Sequence, residues 1–276
     1  MTLRGGPFRR SPGAAPGAAL DRGGVTEQAG RVTSTQRPQP PLPWLPEDFG
    51  TALAVAAHPD DLEYGAAAAV ARWTDQGRQV AYLLLTRGEA GIDTVPPEES
   101  APLREREQRA ACAAVGADDV DFAGLPDGVL QPDLAVRRAI ARAVRRVRPE
   151  VVVANASRDW GGVPDQADHR ALAAVLVDAV RDAGNRWVFR ELLDEGLEPW
   201  GGVREVVHVM DAEPTHAVDT TATLDRGMAS LRAHQTYWEV LGSSPEEMLR
   251  AGAAEAGARQ GVGTAVLVRR QVLQAG

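Results

Sequence analysis

Residues Ala57 to Gly65 read Ala-His-Pro-Asp-Asp-Leu-Glu-Tyr-Gly, which sets one imidazole and three carboxylates, His58, Asp60, Asp61 and Glu63, within six positions. Imidazole and carboxylate are ligand types of a catalytic zinc site, which takes about three protein ligands and keeps a position open for water. His58 and Asp61 could supply two such ligands from one turn, and His169, far along the chain, a third. Asp60, beside the ligands, suits a base that takes the water's proton. The same cluster also reads as a helix start, because carboxylates at a first turn accept orphan amide hydrogens and suit the helix dipole. His169 taken by itself reads more readily as a surface or capping histidine, and less so taken together with His58, so spacing alone leaves both accounts open.

The elements that would position these groups follow from the flanking pattern. Thr51 to Ala56 is short, apolar and bounded by Gly50, as a buried strand is, and Ala66 to Trp73 is helical by propensity. The cluster therefore falls at the carboxyl end of a strand, in the turn into a helix, where open α/β sheets place ligands. Further strands are expected at 79–85, 120–122, 150–154, 201–210, 216–218 and 262–268, and helices at 103–115, 132–148, 168–183, 224–241 and 245–259. Pro96, Pro97 and Pro102 mark a long loop, Leu125 to Gly128 a turn, and 155–167 a polar, glycine-bearing loop. Alternation of strand with helix predicts the α/β class, a Rossmann-like three-layer sandwich with a mostly parallel central sheet. His169 then also follows a strand, at a helix start on the same sheet edge.

Composition bounds the rest. A chain of 276 residues with 44% apolar content can bury a substantial core. Residues 1–43, rich in Pro, Gly, Ala and Arg, read as a flexible N-terminal tail, and 44–276 as one α/β domain. The net charge is −8 and all 30 basic residues are scattered arginines, so no nucleic-acid footprint is visible. Arg4, Arg9 and Arg10 are not followed by a signal-peptide core, and no stretch approaches the roughly 20 apolar residues of a membrane span. A soluble cytoplasmic protein is expected, and a homo-oligomer is compatible with the sequence. Cys112 is the lone cysteine, which excludes an intramolecular disulfide and reads as a packed thiol.

Ala57 to Gly65 resembles the His-Pro-Asp-Asp signature of the PIG-L/LmbE-like zinc N-deacetylases. Thr86-Arg87-Gly88-Glu89-Ala90-Gly91 resembles that family's Thr-x-Gly-Glu-x-Gly loop. Arg104, Glu107 and Gly116 fit its next helix, and Leu125 to Gly128, Asp168 to Arg170 and Ala233 to Gln235 follow in order. The resemblance covers roughly residues 51 to 242. It implies Zn2+ held by His58, Asp61 and His169, with Asp60 as the general base. It also implies that Arg104 and Asp127 contact sugar hydroxyls, and that His234 stabilises the oxyanion or polarises the base. Asp168 and Glu63 would brace the ligands from behind. One departure is that the usual His-Pro-Asp-His is here Gln166-Ala167-Asp168-His169, which keeps the ligating histidine and replaces its neighbour.

The expected activity is hydrolysis of an amide C–N bond, N-deacetylation of a small N-acetylglucosamine-type conjugate. A rival within the same chemistry is an amidase of a thiol conjugate or natural-product intermediate. A rival of another class is a non-catalytic sugar- or nucleotide-binding domain, against which stands the lack of a Gly-x-Gly-x-x-Gly loop after the first strand.

Overall fold

The computed structural model describes residues 40–155, 159–160, 163–242 and 244–274. The chain runs β1 (Thr51–Ala56), α1 (Ala67–Asp75), β2 (Gln79–Leu84), α2 (Pro97–Ala114), β3 (Val120–Phe122), α3 (Leu134–Val147), β4 (Val151–Ala154), β5 (Asp159–Trp160), β6 (Val163–Pro164), α4 (Ala167–Ala183) and α5 (Glu191–Asp194). It continues through β7 (Glu205–Val209), β8 (His216–Asp219), α6 (Leu224–Arg232), α7 (Gln235–Leu241), α8 (Glu246–Gln260) and β9 (Ala265–Val272).

Seven strands among the described residues form one sheet in the order β3-β2-β1-β4-β7-β9-β8. The first five are parallel, and β9 runs antiparallel between β7 and β8. Side chains alternate across the sheet with period two. Ala52, Ala54, Val80 and Tyr82 pack with Val70 and Trp73 of α1 and Cys112 of α2. Leu53, Val55, Ala81 and Leu83 pack with Ile140 of α3 and Leu172 and Leu176 of α4. Burial on both faces explains why β1 and β4 read as unbroken apolar runs. The expected mostly parallel, three-layer α/β architecture is the one observed.

The chain leaves β1 toward β2 and β3 on one side, then returns to place β4 on the other side of β1. Loops diverge at such a switch point and leave a crevice beyond the carboxyl ends of the two central strands. His58 follows β1, and the segment leading to His169 follows β4.

Several bounds differ from expectation, β9 for one running 265–272 and not 262–268, and three differences have a clear physical reason. Helix α2 begins at Pro97, inside the stretch read as loop, because proline suits the first helical position and Glu98 and Glu99 suit the helix dipole. The single helix expected over 224–241 is two, broken at Ala233 and His234, with the Trp238 indole donating to the Leu231 carbonyl at 3.1 Å and the Thr236 amide donating to Glu107 at 2.8 Å. Residues 40–43 are tied to the domain, since the Ala217 amide donates to the Pro43 carbonyl and the Leu42 amide to Gln260. The rest of the expected tail, 1–39, and parts of the 155–167 loop, 156–158 and 161–162, lie outside the described residues.

Candidate active site

A cavity of about 590 Å³ opens at this crevice, with His58, Asp60, Asp61, Arg104, Asp127 and His169 in its wall. The cluster does not cap α1, whose first turn holds no acidic residue and whose start has no side-chain cap. Instead Asp61 Oδ2 accepts the His58 backbone N–H at 2.8 Å, which folds the turn back on itself. His58 Nδ1 lies 3.3 Å from His169 Nε2, which in turn lies 3.0 Å from Asp61 Oδ1. One ligand atom from each of the three residues lies within 4.8 Å of the others, a His/Asp group able to hold a metal ion.

The surroundings fix which nitrogen faces that point. His58 Nε2 lies 3.1 Å from Asp127 Oδ1 and 3.2 Å from Asp168 Oδ2, so its proton belongs there and Nδ1 is left for a cation. His169 Nδ1 lies 3.0 Å from Asp165 Oδ1, which leaves Nε2. His58, Asp127 and Asp168 also lie close enough to hold an ion. However, the Asp168 oxygens accept the Gly128 and Leu130 amides at 2.8 and 3.0 Å, and Asp127 Oδ2 accepts the Ala90 amide at 2.7 Å. That second trio is the hydrogen-bonded back of His58. Asp168 thus ties the 125–130 turn to α4 instead of capping α4, which has no side-chain cap.

Electrostatics agree that the trio demands positive charge. Burial disfavours the His58 imidazolium, yet the Asp61 charge and the bonds to Asp127 and Asp168 more than offset it and push its pKa up to about 12. Burial would raise the Asp61 carboxyl, but His58 and His169 hold it well below the usual carboxylate range. A His2Asp donor set in this field fits zinc, a cation that takes nitrogen and carboxylate oxygen together.

Asp60 sits beside the trio in a different setting. It is 5% exposed, its backbone has φ of 82°, and Arg104 Nη2 donates to its Oδ1 at 3.1 Å and to the Pro59 carbonyl at 2.6 Å. Burial pushes its pKa up to about 7 against the pull of Arg104 and His234. Arg104 is itself buried and stacks 4.0 Å from the Tyr237 ring centroid. Asp127 and Arg104 both line the cavity, but each already partners a trio residue or the base.

His234 is fully buried and absent from the cavity wall, with Nε2 3.8 Å from Glu63 Oε2. Glu63 accepts from Gln108 at 3.1 Å and Ser230 at 3.2 Å, so it braces the turn through α2 and α6 and touches no trio residue in any of these bonds. His208, expected in the core, is buried in β7 with Nε2 2.9 Å from Gln271.

Sequence reasoning missed Asp165, Gln108, Tyr237 and Asn155, whose side-chain amide donates to the Asp61 carbonyl at 3.4 Å. Two of these left a signal: Asp165 precedes His169 by four residues, and Arg104, Gln108 and Cys112 repeat every four along α2.

Residues 53–180 match the PIG-L family described as GlcNAc-PI de-N-acetylase, a span that includes the trio, Asp60, Arg104 and Asp127. The 1D-myo-inositol 2-acetamido-2-deoxy-alpha-D-glucopyranoside deacetylase of Kineococcus radiotolerans is 32% identical over 246 residues, covering 67% of this chain and 68% of that protein. The chain belongs to the PIG-L family. The diacetylchitobiose deacetylase of Thermococcus kodakarensis is 27% identical over 193 residues, covering 69% and 71% of the two chains. The N,N'-diacetylchitobiose deacetylase structure from Pyrococcus horikoshii superposes with a TM-score of 0.72 at 23% identity over 82% and 85% of the chains, which shows the shared fold. As a PIG-L protein the chain is an N-deacetylase-type hydrolase of amide C–N bonds. This sets aside the reading as a silent binding domain.

Proposed function

We propose that this chain is a zinc-dependent deacetylase that releases acetate from a small N-acetylglucosamine-type conjugate. The observation that carries this reading is the convergence of His58, Asp61 and His169 on one point of the cavity, with Asp60 beside them. Those three residues would hold the ion. Zinc bound there supplies Lewis-acid chemistry, making a water nucleophilic at neutral pH and polarising the amide carbonyl.

Asp60 takes the water's proton as its oxygen attacks the carbonyl carbon. It returns that proton to the nitrogen as the C–N bond breaks, leaving a free amine and acetic acid, which ionises to acetate by giving its remaining proton to the amine or to solvent. Arg104 keeps the carboxylate aimed, while His234 and Glu63 act on Asp60 through the buried wall. Asp127 and Asp168 hold the His58 ring by its far nitrogen, and Asp165 does the same for His169. Gln166 lines the cavity in place of the usual histidine. Its amide can donate a hydrogen bond but not a proton, so protonating the leaving amine falls to Asp60.

The substrate class is supported by the relatives, which deacetylate an acetamido-glucopyranoside of inositol in one case and diacetylchitobiose in the other. A cavity of this size accommodates an amino sugar with part of its conjugate, and Arg104 and Asp127, which line it, would contact the sugar hydroxyls in this reading. No described helix is long and apolar enough to cross a membrane, and a cytoplasmic location is part of this proposal.

The test is release of free amine from a panel of N-acetylated amino sugars and their conjugates by the zinc-loaded protein. His58→Ala is expected to lose bound zinc, and Asp60→Ala to keep zinc and lose turnover. Turnover by Asp60→Ala would refute the base, and wild-type protein that binds no zinc would refute the whole reading.

A further inference from the structure

We propose that Gln108 is a positioning residue that sets the Asp60 carboxylate at the reaction centre, an inference that rests on the base role proposed above for Asp60. The starting point is the backbone of Asp60, whose φ of 82° places a residue with a Cβ in the left-handed region. Such a conformation is unfavourable for a residue with a Cβ and persists only where the surroundings over-determine it. Two residues of α2 do so from different ends. Arg104 grips the carboxylate and the carbonyl before it, while Gln108 Oε1 accepts the Asp60 backbone N–H at 2.9 Å.

The Gln108 side chain can point only one way. Asp60 N–H is a donor and the Glu63 carboxylate an acceptor, so the amide oxygen must face Asp60 and the amide nitrogen must face Glu63, 3.1 Å away. Gln108 has no solvent exposure, and its Nε2 also lies 3.3 Å from Cys112 Sγ. Glu63 Oε1 accepts from Ser230 of α6 as well. One amide therefore joins residues 60 and 63 of the turn to α2, and through Glu63 to α6. Methionine at 108 would fill the space with neither bond. Glutamate would keep an acceptor for Asp60 but set a second carboxylate against Glu63.

The experiment compares full-length, zinc-loaded wild type with Gln108→Met, a substitution of similar volume and high adaptability. The expected result is a kcat lower by about ten- to a hundredfold, the scale of a small misplacement of a catalytic group. KM is expected within twofold of wild type and bound zinc unchanged, whereas a role in packing alone would lower Tm and leave kcat per zinc-loaded molecule intact. Hydrogen exchange supplies a readout independent of turnover: the Asp60 amide should be protected in the wild type and lose that protection in the variant. Wild-type kcat in Gln108→Met, or an Asp60 amide that exchanges in the wild type like a free loop amide, would overturn the inference. The wild-type exchange measurement can overturn the inference even if the variant does not fold. Asp60→Ala in the same assay separates the two proposals. If it turns over, the base reading falls and this inference with it; if it is inactive while Gln108→Met is fully active, only the positioning role falls.

Discussion

His58 and Asp60 are two residues apart and open on the same cavity, yet they are held in opposite ways. His58 is held through its far ring nitrogen by two carboxylates, Asp127 and Asp168, whose oxygens are themselves pinned by the amides of Ala90, Gly128 and Leu130. Asp60 is held by a guanidinium and a neutral amide, Arg104 and Gln108, with a buried imidazole behind. A metal ligand gains basicity when a carboxylate takes its other proton, so negative neighbours suit it. A carboxylate that must pick up and release a proton needs its desolvation balanced by nearby positive charge. The contrast assigns ion binding to the first flank and proton handling to the second, and it predicts that damage to each flank shows in a different measurement.

The largest effect is expected at the ion itself. His169→Ala should remove bound zinc and bring amine release to background, and metal analysis after dialysis checks it. Zinc retained at full stoichiometry would dissolve the trio. Next, Asp60→Asn should leave zinc content unchanged and lower kcat by about 10²- to 10⁴-fold, the range of general acid–base catalysis. A parallel loss of zinc would show that the two flanks are not separable. A smaller effect is expected from Asp165→Asn, which keeps the shape but weakens the acceptor at His169 Nδ1. Zinc affinity should fall about 10- to 100-fold, with kcat restored at saturating zinc. A kcat that stays low there would move Asp165 from the binding flank to the catalytic one.

The sheet, its parallel core and the strand-to-helix position of His58 were legible because they depend on short-range pattern: an apolar run, a polar cluster, a helical stretch. The trio was legible as a candidate, two histidines and an aspartate on two loops that alternation brings to one sheet edge, and the family resemblance singled it out. What was not legible is whatever depends on one element reaching another. Arg104 reads as a surface charge or a sugar contact from sequence, and only the approach of α2 to the turn shows it bonded to Asp60 and Pro59. His234 reads as mid-helix because no proline or glycine stands near it. The helix breaks there through tertiary bonds, from Thr236 to Glu107 and from Trp238 to Leu231. Pro97 misled for a different reason: proline ends helices and also begins them, and composition does not distinguish the two.

The smallest effect tests how dry the base-side flank is. Cys112 lies behind Gln108, fully buried, while the His58 side chain on the other flank is 13% exposed to the open cavity. Burial, with the Glu63 charge adding to it, pushes the Cys112 thiol far above its ordinary range, so the reactive thiolate is suppressed in the folded protein. Iodoacetamide should therefore leave Cys112 unlabelled in the native protein at pH 8 and label it completely after denaturation, as mass spectrometry would show. Cys112→Ala should change kcat by less than about twofold, because it removes only a weak sulfur acceptor and leaves the two bonds of Gln108 in place. Rapid native labelling would mean that water reaches the space behind Asp60. The raised carboxyl of the base would then lose its physical cause, and the contrast between the two flanks would fail at its buried end.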